Sequence, residues 1–162
     1  MDQKIDLSYF FRTKIEALDF SERLSGIVDQ MYLTDFDLEK ALTDKLGITK
    51  KDKFMVLLRD NNIGIATDSG LKDFLSKILK DVAAMETVTL TLPIEPAEKM
   101  LKAVVDWFML NTAQQVLLEI VVSPGIVAGA KINFKGKYVD FSENPKIEEI
   151  VNRSVVGDIN GV

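Results

Sequence analysis

The sequence predicts an α+β protein in two parts, an N-terminal helical bundle followed by a small β-α-β-β-β-α lobe. Three observations carry this reading. Apolar residues recur at spacings of two to four up to about Met85, a strict alternation of threonine with apolar residues begins at Thr87, and two alternating runs near the end are separated only by Lys135-Gly136. The 162 residues suffice for one compact core or two very small ones. The organisation read from the pattern is a bundle over 1–85, a lobe over 86–153 and a tail over 154–162, which is expected to fray.

In the first half, Ile15, Leu18, Phe20, Leu24, Ile27, Val28 and Met31 form an apolar stripe on one amphipathic helix, or on two joined near Asp19, with Asp19 or Ser21 as N-cap. Tyr9, Phe10 and Phe11 before it read either as the bundle's first helix or as the wall of an exposed groove. Leu38, Leu42 and Leu46 at i, i+4 and i+8 predict a short helix that stops at Gly47. A further helix is predicted from about Lys50 to Arg59 with Phe54, Leu57 and Leu58 inward. Another follows from about Ser69 with Leu71, Phe74, Leu75, Ile78, Leu79 and Val82 inward. Some five short helices are expected in all, and because isolated helices of ~10 residues are marginal they must pack on one another.

From Thr87 to Leu92 the period becomes two, which predicts a half-buried strand ended by Pro93 and Pro96. Ile94, Leu101, Val104, Val105 and Phe108 supply the stripe of the next helix, near 97–110. Trp107 on that helix reads as core or lobe contact rather than as a ligand platform. Val116 to Val122 is apolar apart from Glu119 and suits a central strand. Ala130 to Phe134 and Lys137 to Phe141 form a hairpin through Lys135-Gly136, and Asn144-Pro145 opens a last helix from Lys146 to about Asn152.

Composition narrows the chemistry. Without Cys the chain has no disulfide, thiolate metal site or thiol nucleophile, and without His it lacks the commonest general base and transition-metal ligand. A net charge of −5 with interspersed cations argues against nucleic acid as a partner, and Lys50-Lys51-Asp52-Lys53 reads as a solvated helix face. No run approaches the ~20 apolar residues of a bilayer span, so direct membrane insertion is not expected. The acidic start Met1-Asp2-Gln3-Lys4 does not resemble a secretory signal, and a cytoplasmic location is expected.

Three constellations invite a chemical reading. Ser123-Pro124-Gly125-Ile126-Val127-Ala128-Gly129-Ala130-Lys131 is glycine-containing and follows a strand. A phosphate loop would need Lys directly after the second Gly, then a hydroxyl and a helix, whereas Ala130 intervenes, Ile132 replaces the hydroxyl and a strand follows. The segment therefore reads as a turn re-aiming the chain between two strands. Glu148-Glu149 and the Asp35, Asp37 pair lack the spacing of a calcium loop and read as solvated or capping residues. Ser123 and Ser142 have no histidine, and a serine–lysine pair would need Lys131 or Lys137 buried beside one of them. No cofactor or metal is expected.

The segment from Val116 to Ile150 resembles the C-terminal part of the delta subunit of F-type ATP synthases, the family of the oligomycin-sensitivity-conferring protein. That family shows a hydrophobic strand, D-P-x-L-x-G-G, a hairpin, I/V-D-x-S and a terminal helix. Pro124, Ile126 and Gly129 stand at the Pro, Leu and second Gly positions, and Val139, Asp140 and Ser142 match I/V-D-x-S with no insertion between the motifs. Leu92-Pro93-Ile94-Glu95-Pro96 resembles the family's L-x-x-E lead into its penultimate helix; Phe54 to Arg59 and Leu71 to Ile78 resemble its last N-terminal helices more loosely. Ser123 stands in place of the usual Asp, Ala128 in place of the first Gly, and the hairpin glycine is displaced to Gly136. The helical half is about one helix shorter than the family's six.

The resemblance implies a non-catalytic peripheral-stalk subunit. Its segment 1–85 would bind the N-terminal helix of an alpha subunit and its segment 86–153 the stalk b subunits, at the cytoplasmic face of the cell membrane as part of a complex that makes ATP from a proton gradient. The alternative reading is an unrelated cytoplasmic protein-binding adaptor or regulatory module.

Overall fold

The computed structural model describes residues 5–65 and 69–141. The expected helix from Lys146 to Asn152, the tail 154–162, Ser142 and Glu148-Glu149 lie outside the described residues. The chain divides into two compact units, Met1–Met85 and Glu86–Val162. It is a mixed α+β protein in which helices precede the strands.

The first unit contains four described helices, α1 (Lys14–Gln30), α2 (Leu38–Leu46), α3 (Ile48–Asp60) and α4 (Ser69–Ala83), one fewer than the periodicity suggested. α1 is a single helix, and it starts well before Asp19 because Thr13 closes a capping box. The Glu16 N–H donates to Thr13 Oγ1 at 3.2 Å, while the N–H groups of Arg12 and Thr13 donate to Glu16 Oε2 at 2.8 and 2.9 Å. Asp19 is a mid-helix residue whose carboxylate binds Arg23 Nε at 2.8 Å. α1 packs against both α2 and α4, and α2 against α3. Arg23 Nη1 also donates to the Lys45 carbonyl at 2.8 Å, satisfying one of the orphan acceptors at the end of α2. Asp37 Oδ1 caps the start of α2, and Gly47, at φ 80°, both ends α2 and opens α3.

Two expectations for this unit are corrected. Tyr9, Phe10 and Phe11 form neither a helix nor a groove wall. The Asp6 carboxylate accepts the Ser8 N–H at 2.9 Å, the chain turns, and Phe10 and Phe11 enter the core against Phe20 at 5.2 and 5.3 Å between ring centroids. Phe54 of α3 completes the aromatic cluster at 5.8 Å from Phe10. Conversely, Ile15 and Leu18 are 80% and 64% exposed, because the buried face of α1 is Ala17, Phe20, Leu24 and Ile27 at spacings of three and four.

The second unit places β1 (Thr87–Leu92), α5 (Glu98–Thr112), β2 (Leu117–Val122), β3 (Lys131–Phe134) and β4 (Lys137–Asp140) in a four-stranded sheet of order β2-β1-β3-β4. β1 is parallel to β2 and antiparallel to β3, and β3 and β4 form the hairpin. Val88, Leu90 and Leu92 face α5, whose Leu101, Val105 and Phe108 complete a core with Val116 and Leu118. Among the described residues, the segment Val116 to Val122, expected as a central strand, supplies the edge strand β2, and the alternating β1 is internal. The sheet carries α5 on the face of Val88, Leu90 and Leu92, so even an internal strand alternates, while β2 is buried at Leu117 and Leu118 and exposed at Val121 and Val122. Ile94 lies outside α5 and is exposed.

The hairpin turn has Lys135 at φ 50° and Gly136 at φ 75°, the two left-handed residues a two-residue turn requires. A Cβ at Gly136 would meet nothing within 4 Å, so Gly136→Ala isolates backbone strain. It should destabilise the second unit by about 1–2 kcal/mol in chemical denaturation. Burial pushes the Glu16 carboxyl up, but the hydrogen bonds from Thr13 and Arg12 outweigh it and leave its pKa below the ordinary glutamate value. A lowered folded pKa gives stability that is present above about pH 4.3 and lost as pH falls towards the folded value. The stability difference between the native chain and Glu16→Gln should therefore be constant near neutrality and shrink below about pH 5.

Candidate functional site

The site read from sequence lies at one end of the sheet. β2 ends at Val122, level with Leu92, and β3 begins at Lys131, opposite Thr91. Residues 123–130 therefore carry the chain across the carboxyl end of β1, from one of its edges to the other. The Ser123 N–H donates to the Leu92 carbonyl at 2.7 Å and the Ile126 N–H to the Ser123 carbonyl at 3.0 Å. Ile126 is 4% exposed and anchors the loop, whereas Pro124 and Val127 lie at the surface. Gly129 has φ 89°, a conformation that L side chains rarely adopt.

The second half of the motif returns to the same place. Asp140 is the register partner of Lys131, and its carboxylate lies 3.3 Å from the ammonium. Hydrogen bonding to Asp140, with the attraction of its charge, holds the Lys131 ammonium above the ordinary lysine value. The Tyr138 hydroxyl donates to the same carboxylate at 3.4 Å, and the Phe141 N–H donates to the Ala130 carbonyl at 2.8 Å. Val139 precedes Asp140 on the edge strand and is 45% exposed. Pro124, Ile126 and Gly129 thus lie in the loop over the carboxyl end of β1, and Val139 and Asp140 at the same end of the sheet, on β4 beyond β3. Ser142 lies outside the described residues.

The structure also places those chemical candidates that lie among the described residues. The glycine-containing loop leads into β3 rather than into a helix of its own, and Lys131 is held by Asp140. Lys137 stands at the far end of the hairpin, paired in register with Phe134. Asp37 is the cap of α2. Lys50, Lys51 and Lys53 lie in the first turns of α3, Lys51 pairs with Asp52 at 2.8 Å and Lys53 sits over the Tyr9 ring. Arg23, Lys45 and Lys50 line a small cleft with Asp19, but the Arg23 guanidinium is committed to Asp19 and to the Lys45 carbonyl. Among the described residues, no three carboxylates converge on a common point and no helix is long and apolar enough to cross a membrane.

What the sequence reading missed is apolar surface. On α1, Ile15 and Leu18 stand exposed three residues apart. On α5, Trp107 is 57% exposed and not a core residue, and Leu110 is 86% exposed. The periodicity held a signal for the second case. α5 carries apolar residues at 100, 103, 107 and 110 as well as at 101, 104, 105 and 108, two stripes where burial on one sheet needs one.

Gly129→Val, which forces a β-branched residue into the left-handed region, should destabilise the second unit by about 2 kcal/mol or more, whereas Val127→Thr on the exposed side of the loop should stay within about 0.5 kcal/mol in the same denaturation experiment. No protein-family model matches the chain, and no curated protein matches it.

Proposed function

We propose that the chain is a peripheral-stalk subunit of a rotary F-type ATP synthase, the delta subunit, joining the catalytic head to the membrane-anchored b subunits in a complex that makes ATP from a proton gradient. The observation that carries this reading is the convergence of the two halves of the motif. The Pro124, Ile126 and Gly129 turn and the Val139-Asp140 strand end lie at the same end of the sheet, linked at the start of β3 by the Lys131–Asp140 ion pair and the Phe141–Ala130 hydrogen bond. Two short motifs that form one structural corner are a more specific likeness than either alone.

In this reading the chain transforms no molecule and needs no cofactor. It resists rotor torque through apolar contacts, at the cytoplasmic face of the membrane and held there by its partners. Ile15 and Leu18 on the outer face of α1 suit the first of these contacts, since anchors three or four residues apart are how one helix meets another. The N-terminal helix of an alpha subunit is assigned to that face, and the b subunits to the unit that begins at Glu86.

Calorimetry of the full chain with a peptide copying the alpha subunit's N-terminal helix from the same organism should give measurable binding. Leu18→Asp should weaken it at least tenfold, with a melting temperature close to that of the native chain because the position is exposed. Affinity weaker than millimolar, together with purification of the native protein free of alpha and b subunits, would overturn the assignment.

A further inference from the structure

We propose that the outer face of α1 receives an amphipathic helix that is apolar at one end and carries lysine or arginine at the other. Ile15, Leu18, Glu22, Ser25 and Asp29 follow one another at spacings of three and four, the pattern of a helix-pairing seam, and all five are exposed. The packing of α1 within its unit uses a different face, that of Ala17, Phe20, Leu24 and Ile27. Along the seam the chemistry changes once. Its first turn offers two large apolar side chains, and the rest offers carboxylates separated by a small residue. Leu18 and Asp29 stand about 16 Å apart along the helix axis.

The acidic half of the seam continues onto α2. Glu22, Asp29 and Asp44 line an open groove together with Asp19, Arg23 and Lys45. Asp19 and Arg23 hold each other at 2.8 Å, and the Lys45 side chain lies beside Gly26, 3.6 Å from where a Cβ would stand. Glu22, Asp29 and Asp44 have no ion-pair partner among the described residues, so the groove sets three carboxylates against one ammonium. A second observation points the same way. A carboxylate near a helix C-terminus opposes the helix dipole, and the last turn of α1 holds Asp29 and no basic residue. Within the chain that placement costs stability, and a cation laid against it reverses the sign.

The arrangement selects its occupant. No three carboxylates converge on a common point among the described residues, so these are spaced for side chains distributed along a polypeptide rather than for a metal ion. A second copy of the face would bring acid against acid, and an anionic lipid surface or nucleic acid would be repelled for the same reason. A helix with apolar residues over Ile15 and Leu18, and lysine or arginine seven and fourteen residues from the first of them, meets each position with its complement. The apolar pair supplies the anchor and the charges supply selectivity and direction. The inference rests on the assignment of this face to a docking helix and adds the chemistry that helix must have.

The test is fluorescence anisotropy of the full chain with three labelled peptides. Two are designed helices that share the apolar pair and carry either lysine or glutamate at the seventh and fourteenth positions after it begins; the third copies the alpha subunit's N-terminal helix from the same organism. The lysine peptide should bind at least tenfold more tightly than the glutamate peptide, and raising salt from about 0.05 to about 0.5 M should weaken it several-fold. Glu22→Lys combined with Asp29→Lys should invert the preference. The melting temperature should hold or rise, because both positions are exposed and lysine suits the end of α1. Equal affinity for the two designed peptides, or a preference that the double variant leaves unchanged, would overturn the inference, while tight binding of the alpha peptide in the same experiment would leave the docking reading standing. Failure of all three peptides to bind would overturn both.

Discussion

The described part of the unit that begins at Glu86 depends on β1 having both of its edges paired. β2 takes one edge in parallel and β3 takes the other antiparallel, so β1 carries the hydrogen-bonded continuity of the sheet while its Val88, Leu90 and Leu92 supply the face on which α5 rests. Pairing of opposite sense on the two edges has a topological consequence. The chain must leave β2 and reach β3 at the same end of the sheet, and the loop 123–130 makes that crossing. A crossing over the end of a strand needs fixed points, and the loop has three. Ile126 is buried and holds it down, Ser123 hydrogen-bonds to the end of β1, and Gly129 turns left-handed just before β3.

The helical unit depends on a different kind of contact. Phe10, Phe11, Phe20 and Phe54 come from the leading turn, α1 and α3, and their rings meet at tilted or edge-to-face angles, the arrangements that aromatic quadrupoles favour. A turn held by Asp6 and a helix cap at Thr13 are local devices, yet they decide that two phenylalanines point inward. Those residues lie outside any regular element, so periodicity could not place them.

The candidate site was legible in part. The spacing of Pro124, Ile126, Gly129, Val139 and Asp140 is written in the sequence, and the two-residue turn at Lys135-Gly136 brings the second group back beside the first by register alone. What could not be read was which apolar residues remain outside. Ile15 and Leu18 belong to the same run of apolar residues as Phe20 and Leu24, and Trp107 sits next to Phe108. Neighbouring positions on a helix differ by about 100° in direction, so burial of one says little about burial of the next until the packing partner's place is known.

By itself the sequence determined the types of the described helices and strands from α1 onwards, the hairpin, the stop at Gly47 and the lack of cysteine and histidine side chains, because each of these follows from local backbone preference or from composition. Only the tertiary structure decided that β1 is internal and β2 an edge, that Phe10 and Phe11 are core, and that α5 presents a second apolar stripe outward. Lateral strand order and the direction of a helix face are set by contacts between residues far apart in the chain. Alternation and periodicity describe a single segment and carry no record of its neighbour.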